Sequence, residues 1–145
     1  MKPFKLQTLL DYRKRLADKA HEAFMVTMEE RDLLAAARET EENEVGRLCR
    51  ELEAEKSRDI SVPEMVLYEQ CISAKKRHVR DLDHQLARAD ENVREKRQEL
   101  VKARQKKRVL EILKEKRETA ERSKREHQEK MFIDEVAVLG FGGGK

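Results

Sequence analysis

Tryptophan is absent, proline occurs twice, glycine five times, and aromatic side chains fill only 4% of the 145 positions. Such scarcity removes the means of building a layered globular core joined by tight turns, and with it the buried pocket that an enzyme site needs. Long apolar runs are missing as well. No stretch approaches the roughly 20 apolar residues of a membrane-spanning helix, and charge and glutamine break up the leucines of "MKPFKLQTLLDYRKR", so a secretory h-region is not expected. The expectation is a cytosolic chain with no direct membrane insertion. Cys49 and Cys71 form no CxxC pair, which makes them two small structural thiols in a reducing compartment. His21, His78, His84 and His127 make no i, i+4 pair and no H-E-x-x-H setting, so a helical metal site is not expected. No P-loop, G-x-S-x-G or glycine-rich dinucleotide turn occurs, and acids on exposed helix faces have nothing to raise their pKa for acid–base work. The expectation is a protein without catalysis and without a cofactor.

What the chain has is charge and period. Asp, Glu, Lys and Arg make up 43% of it, and apolar residues recur among them at helical spacing, which disorder alone does not produce. From Met65 to Leu110, steps of three and four pick out fourteen positions, eleven of them apolar: Met65, Tyr68, Ile72, Val79, Leu82, Leu86, Ala89, Val93, Leu100, Ala103 and Leu110. This is a heptad seam, and a seam requires a partner helix. In the first half Leu9, Leu16, Ala20, Ala23, Leu34, Ala37, Val45, Leu48 and Leu52 follow a looser helical spacing. A four-four step from Ala37 through Glu41 to Val45 predicts a stutter that relaxes the supercoil.

Between the two seams lies "SRDISVPEMVLYEQCISAKK", residues 57–76. Ser61, Pro63 and Glu64 supply a hydroxyl cap, a residue suited to the first helical turn and the S-x-x-E spacing of a capping box. The fold predicted is all-α: a long two-helix antiparallel coiled-coil hairpin, with a helix over about 5–58, a turn over about 59–62, a longer helix over about 63–139, and a flexible glycine-rich tail at 140–145. Folding about residue 60 sets residue i opposite roughly 120 minus i, which brings Leu48 against Ile72 and Glu41, Glu42 and Glu44 near Lys75, Lys76, Arg77 and Arg80. At about 1.5 Å per residue the helices run roughly 80 and 115 Å, so the second overshoots the first. Beyond it, Met131, Phe132, Val136 and Leu139 form an apolar patch without a partner, which marks a docking surface.

Charge is uneven: residues 94–108 hold eight Lys or Arg against two Glu, and residues 29–44 hold seven acids against two Arg. A basic end suits an acidic protein surface. Nucleic acid is not the expected partner, because the net charge is only +3 and no aromatic interleaves the basic run to stack bases.

The pieces "FKLQTLLDYRKRLADKAHEAF", "LYEQCISAKK", "KKRVLEILKEKRE" and "DEVAVL", in that order, resemble the flagellar FliJ family over almost the whole chain. A generic coiled-coil scaffold or the stalk protein of another type III secretion system is the alternative. The resemblance implies a non-enzymatic component of the flagellar type III export apparatus, an antiparallel coiled coil similar to the central stalk of rotary ATPases. The partners it implies are the export ATPase hexamer, the cytoplasmic domain of an FlhA-type export gate and export chaperones, at the cytoplasmic side of the inner membrane. With the basic residues gathered at one end, Arg13, Lys14, Arg15, Lys19, Arg104, Lys106 and Lys107, with Met131, Phe132, Val136 and Leu139, are the expected ring contact. The surplus of apolar residues beside the turn supplies the expected gate contact: Glu41, Glu44, Leu48, Leu67, Cys71, Lys75 and His78.

Overall fold

A computed structural model of the chain describes residues 3–142, with side chains through residue 140. Two helices account for nearly all of it: α1 (Gln7–Lys56) and α2 (Val62–Gly142), 50 and 81 residues long. They pack against each other as an antiparallel hairpin, with the second helix the longer, as the two seams require. The helices stop slightly inside the first predicted boundary pair and slightly beyond the second. The expected tail at 140–145 begins as helix through Gly142, and residues 143–145 lie outside the described residues.

The connection is short because both helix ends are capped within it. At the end of α1, Ser57 Oγ donates to the Ala54 carbonyl at 2.6 Å and the Arg58 amide donates to the Glu55 carbonyl at 3.0 Å, which satisfies carbonyls that lack helical partners. Asp59 then adopts φ 62°, a left-handed conformation that Asp tolerates better than bulkier residues. Ser61 caps α2: its Oγ accepts the Glu64 amide at 3.4 Å and its carbonyl accepts the Met65 amide at 3.0 Å.

The chain divides into two compact units. The hairpin unit is Asp18–Val101, and the terminal unit combines residues 1–17 with 102–145. On α2, all fourteen predicted seam positions from Met65 to Leu110 are buried or half-buried, and every other residue between them is exposed. Leu100, Leu82 and Leu52 are the most buried in the hairpin unit, and Leu10, Ala17 and Leu110 in the terminal unit. With a placed at Met65, Ile72 and each seventh residue after, the d positions of α2 are Tyr68, Lys75, Leu82 and their successors.

The seam of α1 differs from the expectation by one residue in places. Leu10 and Ala17 are buried where Leu9 and Leu16 were expected to lead, and Arg38 is half-buried while Ala37 is exposed. The seam of α1 therefore runs a at Leu10, Ala17, Phe24, Arg31, Arg38, Val45 and Leu52, and d at Arg13, Ala20, Thr27, Leu34, Glu41, Leu48 and Glu55. Steps of three and four alternate throughout, so the predicted stutter is absent. The reason is that five charged residues, Arg13, Arg31, Arg38, Glu41 and Glu55, hold seam positions, while Leu9, Leu16, Ala23 and Ala37 at g imitate a seam one residue out of phase. Thr27 is accommodated by donating its hydroxyl to the Ala23 carbonyl at 2.7 Å.

Cross-helix contacts set the register. Arg31 Nε donates to Asp90 Oδ1 at 2.8 Å, Arg38 donates to Asp83, and the Arg97 guanidinium lies 5.7 Å from the centroid of the Phe24 ring. In each pair the residue numbers add to 121, one more than the turn at residue 60 predicts. In the terminal unit Arg117 stands 5.9 Å from the Phe4 ring centroid, again with a total of 121. Beyond that, Lys114, Arg117 and Glu121 remain half-buried, and every residue from 122 to 140 is exposed. With no segment of α1 facing it, that stretch of α2 has no apolar seam and gains nothing from having one.

Candidate functional site

In the hairpin unit, one flank of the coil carries an ordered polar and apolar cluster close to the turn. A coiled coil exposes two flanks beside its seam, one formed by positions e and b next to a, the other by g and c next to d. Glu41 at d of α1 meets Lys75 at d and His78 at g of α2. Its Oε2 accepts from Lys75 Nζ at 3.3 Å and lies 3.3 Å from His78 Nδ1. The hydrogen bond with His78, then that with Lys75, holds the Glu41 carboxyl below the usual carboxylate range against the opposing effect of burial. Glu44, at g three residues on, is lowered in turn by Arg47, which chelates it at 2.7 and 3.1 Å.

One turn nearer the tip, the same flank opens into a groove of about 480 Å³ lined by Leu48, Glu55, Glu64, Leu67, Tyr68 and Cys71. Burial raises the pKa of the Tyr68 hydroxyl, and the carboxylates of Glu51, Glu55 and Glu64 raise it further. Leu67 is 61% exposed and Val66 43% exposed beside it, so the apolar residues in excess of the seam face solvent rather than widening the core. Cys71 at g is exposed, and Cys49 at e on the opposite flank is half-buried; both are free thiols. The predicted tip-proximal set, Glu41, Glu44, Leu48, Leu67, Cys71, Lys75 and His78, thus occupies positions d, g and c of one flank. Sequence reasoning missed Glu55, Glu64 and Tyr68 as lining residues. The signal was available in Tyr68, the one aromatic at a seam position beside the surplus apolar residues.

The predicted terminal set is not gathered in this way. Arg13 and Lys107 hold seam positions and are half-buried, with Lys107 paired to Glu111 at 3.7 Å. Lys14 and Arg104 are at e, Arg15 at f and Lys106 at g, so the basic residues ring the terminal unit instead of sharing a face. Lys19 belongs to the hairpin unit. Met131, Phe132, Val136 and Leu139 are exposed at 53, 67, 51 and 74%, and with Ile133 and Val138 they cover more than half the circumference of the last helical turns.

Among the described residues no group of His, Cys, Asp and Glu is arranged to hold a metal ion, and no helix is long and apolar enough to cross a membrane. What the geometry offers is surface: a grooved, charge-ordered flank in one unit and an uncovered apolar segment in the other, both suited to holding another macromolecule.

Compared with known proteins, the chain matches the family described as flagellar FliJ protein over residues 1–145. No curated protein and no solved structure matches it.

Proposed function

The chain belongs to the FliJ family, which makes it a component of the flagellar export apparatus, and on that footing we propose that it works there as a non-catalytic, stalk-like coupler. Its terminal end, with Met131, Phe132, Val136, Leu139 and Lys106, engages the export ATPase ring. Its tip-proximal flank engages the cytoplasmic domain of an FlhA-type export gate, and export chaperones bind along the coil. It acts at the cytoplasmic side of the inner membrane through protein contacts.

The observation that supports this reading is the convergence of Glu41, Lys75 and His78 with the Leu48, Leu67, Tyr68 and Cys71 groove on a single flank. A hairpin needs only its seam to fold. Exposed Leu67 and Cys71, next to charges already fixed in place, form a surface with apolar anchors and a polar rim, as protein interfaces have. Leu67 is exposed, so removing it leaves the seam intact. The double substitution Leu67→Ala with Cys71→Ser, both at exposed positions off the seam, should weaken binding to the purified gate domain by about tenfold while the melting temperature and ATPase binding stay as in the parent chain. Unchanged gate affinity would overturn the assignment of this flank.

A further inference from the structure

The terminal unit has one flank unlike any other in the molecule. Its g and c positions from residue 5 to residue 116 are Lys5, Leu9, Tyr12 and Leu16 on the α1 side and Lys102, Lys106, Val109, Leu113 and Lys116 on α2. Leu9, Tyr12, Val109 and Leu113 are exposed at 39, 47, 58 and 45%. The register marked by Arg117 and Phe4 puts Tyr12 opposite Val109 and Leu9 almost opposite Leu113. These four side chains therefore make one strip that bridges both helices, where scattered exposed residues would mean nothing.

Lys5, Lys102, Lys106 and Lys116 edge the strip, all exposed, and no carboxylate stands among these positions. The acids of this part of α2 lie on the other flank, where Arg108 pairs with Glu111 at 3.3 Å and with Glu115 at 3.2 Å. A lysine-edged strip with its counter-charges held away on the far side is built to receive an acidic surface.

We propose that this flank is the face through which the terminal unit meets the export ATPase ring, and that the ring surface it takes is an apolar segment edged with carboxylates. The proposal rests on the reading that this end engages the ring. A second copy of the chain does not suit the site, since two such flanks face to face bring their lysines together with no acid between them. The chain's own Met131–Leu139 segment does not reach it, because α2 is one helix through Gly142. An anionic membrane shares the charge preference, but the strip is confined to four side chains on one flank of the coil, which suits a segment of protein better than an extended membrane plane. Of the basic residues that sequence reasoning assigned to the ring, only Lys106 lies on this flank.

The full-length chain tests this with three double variants against the purified export ATPase of the same organism. Tyr12→Ser with Val109→Ser, and separately Lys102→Glu with Lys106→Glu, should each weaken binding by about tenfold or more and lower ATPase stimulation, with helicity by circular dichroism unchanged. Lys14→Glu with Arg104→Glu, on the opposite flank, should change affinity by less than about twofold. If the opposite-flank variant loses as much as the other two, or loses binding alone, the flank is wrong and the ring reading stands. If the parent chain itself neither binds nor stimulates the ATPase, the ring reading falls and takes this inference with it. Two further results overturn the proposal: self-association in sedimentation that the flank variants abolish, or binding to phosphatidylglycerol vesicles that they abolish while ATPase binding persists. Should the serine variant lose helicity, the lysine variant, altered only at exposed charges, decides.

Discussion

The hairpin unit and the terminal unit share a heptad seam and differ in what they do with charge. In the hairpin unit Arg31 and Arg38 hold a positions and reach across to Asp90 and Asp83, and Glu41 at d receives Lys75 and His78. In the terminal unit the ion pairs seen among the described residues include pairs along α2: Lys107 and Arg108 with Glu111, Arg108 with Glu115, and Arg117 with Glu121. Charge placed across a seam specifies pairing at some cost in stability. Sliding the helices by one heptad in one sense would set Arg31 against Arg97, and in the other sense Arg38 against Lys76. Charge kept within one helix specifies nothing about the neighbour and leaves the flanks free to differ. One unit has used its charges to define itself, and the other has kept a lysine-edged face for a partner.

The largest effect that bears on this comparison comes from the seam that both units share. Leu82→Ala in the hairpin unit and Leu10→Ala in the terminal unit should each cost about 2–4 kcal/mol in denaturant unfolding followed by circular dichroism, because both side chains are nearly inaccessible, at 5 and 1%. A negligible loss at Leu10 would mean that the terminal unit is not held by its apolar seam, and the comparison would break.

A smaller effect separates the units. Arg38→Asp sets an acid against Asp83 and Glu42, and should lower the melting temperature by less than Leu82→Ala does. Adding Asp83→Arg should recover most of that loss. The corresponding reversal in the terminal unit, Arg108→Glu with Glu115→Arg, should change the melting temperature hardly at all in either the single or the double variant, since exposed pairs along one helix contribute little. Equal responses in the two units would remove the distinction drawn between pairs across the seam and pairs along one helix.

The smallest effect is one of pH. In the folded chain Glu41 titrates below the usual carboxylate range, while in the unfolded chain it titrates within that range. Its contribution is therefore fully present above the usual range and is lost as pH falls through the lower, folded value. Glu44 acts with the same sign. Melting curves recorded between about pH 6 and pH 3 should show a shallower acid decline for Glu41→Gln than for the parent chain. An identical decline would show that the Glu41 cluster does not help to hold the hairpin unit.

The second helix was legible almost to the residue, because its seam is apolar at eleven of fourteen places and the three exceptions fall in phase. The first helix was legible in type and length but not in phase. Leu9, Leu16 and Ala37 sit at g and look like core, while Arg31, Arg38 and Glu41 sit in the seam and look like surface. Which of the two is buried depends on Asp90, Asp83 and Lys75, and one helix's sequence does not contain the other's positions. The tip-proximal residues, drawn from the neighbourhood of a surplus of apolar side chains, proved to share a flank. The terminal residues were chosen by sign of charge, and charge alone carries no angular information around a helix, so the structure distributes them over every side of the unit.

The turn has a kinetic consequence. Ser57 and Ser61 cap the two helices on either side of Asp59, and from there the cross-helix partners lie ever farther apart in sequence: 34 residues for Glu41 and Lys75, 45 for Arg38 and Asp83, 59 for Arg31 and Asp90. Closing the longest of these loops first is entropically costly, whereas each pairing made after a shorter one only extends a zipper already begun. The hairpin unit should therefore fold from its turn outward. On a ribosome, α1 emerges complete and must wait as a lone charged helix until the first turns of α2 follow it. The groove beside Tyr68 would then be the first part of the molecule to assemble, and the pairing of Arg31 with Asp90 among the last in its unit.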